Sequence, residues 1–213
     1  MPELYTSDRS GAGPADRSGR CGRRPVIALI DRDTLRVNHE RVVARLSADA
    51  TFGLMRPTVH ARLVRDVSVE SVFVQYDRTF TFNGDEARER AGHETGPSPM
   101  RYFLSGIAFC LAGWYAKGSA VLDVPIDGLE LDLRTLLDMR GEHGFDGHPP
   151  NPQYLVVEVS VTSVAPPATV LEVIDWGGAR CPLSALVRTA IPVYERVILD
   201  GELIRDTVPV EAR

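Results

Sequence analysis

Two cysteines are the residues of this sequence best suited to chemistry. Cys110 lies inside the apolar stretch SPMRYFLSGIAFCLAGWYAKG, and Cys181 stands directly before a proline in ARCPLSALVRTAIPV. A thiol is a nucleophile only as thiolate, so its surroundings decide whether it reacts or merely fills space. Cys110 falls in mid-helix, gains nothing from a helix end, and needs a cation from elsewhere to become reactive. Cys181 opens a short helix. There the free backbone N–H groups and the positive end of the helix are expected to lower its pKa, with Arg180 adding to the effect. The competing reading is that both are small, inert packing residues.

The third cysteine, Cys21, sits in a polar Gly/Arg/Ser-rich leader and is expected to be dispensable. Three cysteines in 213 residues do not make a disulfide framework. The loop EHGFDGH places His143 and His148 near Glu142 and Asp146, but the spacing matches no helical ligand pair, so no metal is expected. No glycine-rich phosphate loop follows a strand and GxSxG is absent, so no cofactor is expected either.

A net charge of −5 removes the basic footprint that nucleic acid or an anionic membrane would require. No apolar run approaches the roughly 18 residues of a membrane span, and the N-terminus lacks the apolar middle of a signal peptide. A cytoplasmic address is the expectation. With 44% hydrophobic and 25% charged residues, the chain can bury one sizeable core.

The elements that must position the cysteines follow from periodicity. Residues 1–24 form a leader expected to be flexible, and 25–57 an extension with a helix over about 31–48, its Leu35, Val42, Val43 and Leu46 on one face. The domain proper spans 58–213. It opens with period-two segments, HARLVRD, VSVESVFVQY and RTFTFNG, which predict a three-stranded antiparallel meander. The central helix follows, with Ser98 as N-cap, Pro99 at its first position and Gly118 as terminator. It is apolar nearly all round, which predicts burial. Two strands, around IDGLELDLRTLL and QYLVVEVSVTS, flank the His-containing loop. Helices APPATVLEVIDWGGAR and CPLSALVRTA come next, then a closing strand, IPVYERVILDG, and a short polar tail. The class is α+β, a mainly antiparallel sheet packed on a long buried helix.

A cysteine within the central helix, followed 71 positions later by a Cys-Pro step, a short helix and a closing strand, resembles the OsmC/Ohr family. The likeness covers roughly residues 58–200 and leaves the leader and extension unexplained. It implies an OsmC-like fold and an intertwined homodimer with two active sites at the subunit interface. It also implies a thiol-dependent organic hydroperoxide reductase, with an apolar small-molecule substrate and a dithiol reductant as partners. On that template Cys110 attacks the peroxide and Cys181 resolves the product as a disulfide.

In the family an early-strand arginine serves the first cysteine and is held by a glutamate directly after the helix-opening proline. This chain has Met100 there. Arg62, Arg65 and Arg78 are the candidate thiolate-stabilising residues, and Glu94 is a candidate replacement acid. Trp114 and Tyr115, one turn beyond Cys110, are core residues or the wall of an apolar pocket. Two rival functions use the same scaffold. One is a cysteine-based enzyme of specialised metabolism; the other is a non-enzymatic dimeric binder of an apolar small molecule.

Overall fold

The computed structural model describes residues 28–213; Cys21 and the leader 1–24 lie outside the described residues. The chain is α+β, with two sheets and a long central helix. Helix α1 (Arg32–Ala48) begins at Asp31, whose carboxylate accepts the Thr34 N–H and hydroxyl at 3.0 and 2.8 Å. Strands β1 (His60–Arg65), β2 (Ser68–Gln75) and β3 (Arg78–Gly84) form the expected antiparallel meander. Tyr76 and Asp77 turn the second hairpin with φ of 53° and 56°, the left-handed pair a two-residue hairpin demands. On one face Phe73 stacks on Phe80 and Phe82 at 5.4 and 5.6 Å.

Helix α2 (Pro99–Val121) starts where expected, although the Ser98 side chain makes no capping bond. It ends three residues beyond Gly118. That glycine is not a terminator but a contact: a Cβ there would stand 3.2 Å from Trp176 and Val173. Nor is α2 covered all round. Ile107, Leu111 and Tyr115 are buried, while Phe109 is 76% and Phe103 45% exposed.

The second sheet has the order β4 (Gly128–Thr135), β5 (Leu155–Thr162), β6 (Val193–Leu199), β7 (Glu202–Asp206). Strands β5 and β6 are parallel and the other pairs antiparallel. A one-turn helix, α3 (Met139–Glu142), interrupts the β4–β5 loop. The parallel pair requires a crossover, supplied by α4 (Pro167–Gly178) and α5 (Pro182–Arg188). Strand β7 replaces the expected polar tail; Asp200 and Gly201, both at positive φ, make the turn into it. The core joins α2, α4 and the inner face of this sheet, with Val157, Val159, Val170 and Val173 among its buried residues.

Helix α1 packs on α2 differently from its apolar pattern. Arg32 and Arg36 reach Asp123 at 2.7 and 3.9 Å and His39 meets Trp176 edge-on, while Val42, Val43 and Leu46 stay exposed. Among the described residues no helix is long and apolar enough to cross a membrane.

The α2–α4 crossing depends on Gly177. A Cβ there would lie 2.6 Å from the Tyr115 ring and 3.0 Å from the Trp114 carbonyl. The ring could shift slightly, but the backbone carbonyl cannot. Gly177→Ala is therefore expected to cost about 1–3 kcal/mol, outweighing the helix preference for alanine, and to lower the urea midpoint accordingly.

Candidate functional site

Helix α5 leans on α2 where the side chains are small. A Cβ on Gly106, one turn before Cys110, would lie 3.9 Å from Leu183. This close approach carries Cys181, the N-cap of α5, to Cys110. The two free thiols, from motifs far apart in the chain, belong to one core cluster and lie near enough for Cys110 to act on the Cys181 thiol. Cys110 is half-buried; Cys181 is fully buried.

The local framework around Cys181 is tight. Its N–H donates to the Gly177 carbonyl at 3.1 Å, its carbonyl accepts the Ala185 N–H at 2.9 Å, and its sulfur accepts the Ser184 N–H at 3.4 Å. Yet the thiol is not acidified. Burial pushes Cys181 up to about 11, a hydrogen bond with Cys110 pushes the same way, and the N–H groups of Ser184 and Leu183 oppose both without prevailing. This overturns the expectation from helix position. Desolvation penalises the whole charge, whereas a seven-residue helix supplies only a few partial ones. Arg180 does not help, because its guanidinium lies 4.0 Å over the Trp176 ring and donates to the Trp176 carbonyl at 3.0 Å.

The aromatic candidates separate. Trp114 is half-buried, tilted against Trp176 at 6.0 Å, with the Lys117 ammonium 4.3 Å from its ring. Tyr115 is wholly inside the core and cannot line an open pocket. An open apolar groove of about 390 Å³ exists elsewhere, where Val69, Phe73 and Phe82 of the meander face Pro99 and Tyr102 of α2.

Two of the three candidate arginines are already paired with a nearby carboxylate. Arg62 pairs with Glu70 at 2.8 Å and Arg65 with Asp66 at 3.3 Å; Arg78 has no ion-pair partner among the described residues. Glu94 is held by Arg88 at 2.9 Å, so it anchors none of the three. In the β4–β5 loop Glu142 pairs with Arg90 at 2.8 Å and His148 with Asp138 at 2.9 Å.

One important residue escaped the sequence reading. Asp85 is buried ahead of α2 and accepts the N–H groups of Glu86, His93 and Thr95 at 2.9, 3.2 and 3.0 Å, plus the Thr95 hydroxyl at 2.6 Å. These donors, Thr95 foremost, hold its carboxyl far below the usual range. They close the loop that delivers the chain to α2. Nothing in its local sequence distinguishes Asp85 from a solvated loop aspartate.

The fold is an α+β domain that carries one half-buried thiol on its central helix and one buried thiol at a crossover corner. The chain carries an OsmC-like domain: a family model described as OsmC-like protein matches residues 92–196, a span containing both cysteines. Solved structures share the fold. An OsmC-like protein from Mycoplasma pneumoniae aligns at 17% identity over 68% of this chain and 98% of its own, with a TM-score of 0.54. An OsmC-like protein of unknown function from Vibrio cholerae aligns at 10% identity over 68% and 100%, with a TM-score of 0.56. An organic hydroperoxide resistance protein, OsmC, from Legionella pneumophila aligns at 17% identity over 68% and 98%, with a TM-score of 0.51. No curated protein matches the chain.

Proposed function

We propose that this protein is a thiol-dependent reductase of organic hydroperoxides in which Cys110 attacks and Cys181 resolves. The observation that carries this reading is the nearness of the two thiols in one core cluster, one half-buried and one fully buried. The OsmC-like domain and a structural neighbour named for organic hydroperoxide resistance support the substrate class.

The Cys110 thiolate attacks the terminal peroxide oxygen. The O–O bond breaks, the alcohol leaves with a proton, and Cys110 becomes a sulfenic acid. Cys181 then attacks that sulfur, forming the disulfide and releasing water. An external dithiol reduces the disulfide by two exchanges. Burial and a proton retained at neutral pH favour Cys181 as the second sulfur, since it is shielded from oxidant until Cys110 has changed.

The cation that activates Cys110 comes, on this reading, from a second copy of the chain. The bare Phe103 and Phe109 surface of α2 and the aromatic face of the meander are apolar faces that an intertwined homodimer would cover. Such a dimer would bring Arg62, Arg65 or Arg78 of one copy toward the thiols of the other. The reading is tested by consumption of cumene hydroperoxide with a dithiol, combined with peptide mapping after one equivalent of oxidant. Turnover and a Cys110–Cys181 disulfide are expected. No turnover, with an apolar probe still binding, would favour the non-enzymatic binder, for which the apolar groove is the supporting observation.

A further inference from the structure

Cys181 sits at the corner between α4 and α5 and is tied to both helices. Its N–H donates to the Gly177 carbonyl of α4 at 3.1 Å, and its sulfur accepts the Ser184 N–H of α5 at 3.4 Å. Neither tie fixes where the helices themselves stand. Helix α5 has seven residues, of which only Ser184 and Val187 are buried, while Leu186 is 63% exposed. A helix so short and so thinly buried is weakly held by apolar contact and depends on polar anchors.

One carboxylate joins those anchors. Glu195 of β6 accepts the guanidinium of Arg188, the last residue of α5, at 2.6 Å, and the Arg188 Nε donates to the Ser184 hydroxyl at 3.3 Å. The other Glu195 oxygen accepts Arg205 of β7 at 3.2 Å, and Arg205 holds Asp175 of α4 at 2.5 and 2.8 Å. Ser184 is buried, and its N–H is the one that meets the sulfur. A continuous chain of bonds therefore runs from Asp175 through Arg205, Glu195, Arg188 and Ser184 to Cys181.

We propose that Glu195 is the positioning residue for the resolving sulfur: through Arg188 and Arg205 it fixes the two helices between which Cys181 sits. The inference rests on the reading of Cys110 and Cys181 as a redox pair. In the resolving step the Cys181 sulfur attacks the sulfenic sulfur of Cys110. The S–S bond forms, the S–O bond breaks, and the hydroxide leaves with the Cys181 proton as water. That step is intramolecular, so its rate depends on how narrowly the two sulfurs are held in line. Glu195 touches neither sulfur. It acts on the resolving step alone, because Cys110 is carried by α2, which contributes no member to the chain of bonds.

The test follows the wild-type full chain and Glu195→Gln after one equivalent of cumene hydroperoxide. Dimedone capture reports the Cys110 sulfenic acid, and peptide mapping reports the disulfide. Glu195→Gln keeps the shape and removes the charge that both arginines share. It is expected to form sulfenic acid at the wild-type rate and to close the disulfide about tenfold more slowly. Arg188→Lys, at a half-exposed position, is the second variant: one ammonium cannot hold Glu195 and Ser184 together as the guanidinium fork does, so closure should slow in the same direction. Glu158→Gln is the control, since it breaks the 3.3 Å pair with Arg196, the next residue of β6, which points to the opposite face of the sheet. A merely structural role for Glu195 predicts that Glu195→Gln and Glu158→Gln behave alike. Closure at the wild-type rate in Glu195→Gln, or equal slowing by Glu158→Gln, overturns the proposal. A wild type that is oxidised by diamide but not by hydroperoxide defeats the substrate assignment alone, and closure rates with diamide then decide the role of Glu195. Failure of both oxidants to link Cys110 to Cys181 removes the redox pair and this role with it.

Discussion

Cys110→Ser is expected to abolish hydroperoxide turnover, with a loss on the order of 10³-fold or more, because on the proposed reading it removes the attacking thiol. Cys181→Ser should behave differently. Its Cys110 still attacks once, so a burst of one hydroperoxide per chain should precede arrest, leaving a sulfenic acid that dimedone traps. The asymmetry comes from burial. Cys110 is half-exposed on α2 and can meet a substrate, whereas Cys181, the N-cap of α5, is fully buried. Stopped-flow loss of cumene hydroperoxide separates the two variants. A Cys181→Ser protein with neither burst nor adduct, beside an active wild type, would reverse the assignment of attacking and resolving sulfurs.

Phe109→Asp is expected to convert a homodimer into monomer and to remove most turnover with it. Phe109 stands one residue before Cys110 and is 76% exposed in the single chain, an unusual state for a phenylalanine at the centre of a core-forming helix. A charge at the middle of a buried aromatic contact costs about 2 kcal/mol or more per site, and a two-fold interface counts each substitution twice. Light scattering should give about 47 kDa for wild type, twice the 23.4 kDa chain, and the chain mass for the variant. Turnover should fall in parallel, because the arginines proposed to serve Cys110 then have no route to it. A wild type that is monomeric and fully active would sink both the dimer and the shared site.

Where local pattern decided the outcome, the sequence was legible. The period-two segments became β1 to β3, and Pro99 opened α2. Cys181-Pro182 opened α5, and proline-led α4 ended at Gly178. Strand β7 was missed although Asp200-Gly201, a hairpin signal, stood in plain view, because the residues after it alternate only weakly. Gly118 looked like a stop and proved to be the point where Trp176 and Val173 come close, a role visible only once α4 lies against α2.

The candidate site divides along the same line. Which residues could react, the elements that carry them and their order along the chain were all legible from side-chain chemistry and short-range periodicity. Folding in three dimensions alone brought the two thiols into one core cluster and held Cys181 protonated against its helix. It also decided that Arg180 is captured by Trp176, that Glu94 belongs to Arg88, and that the Tyr115 hydroxyl, among the described residues, is left unpaired inside the core. Each of these depends on desolvation or on partners from distant segments. A thiol pKa is a sum over everything packed around the sulfur, and the residues adjacent in sequence contribute only a minor part of that sum.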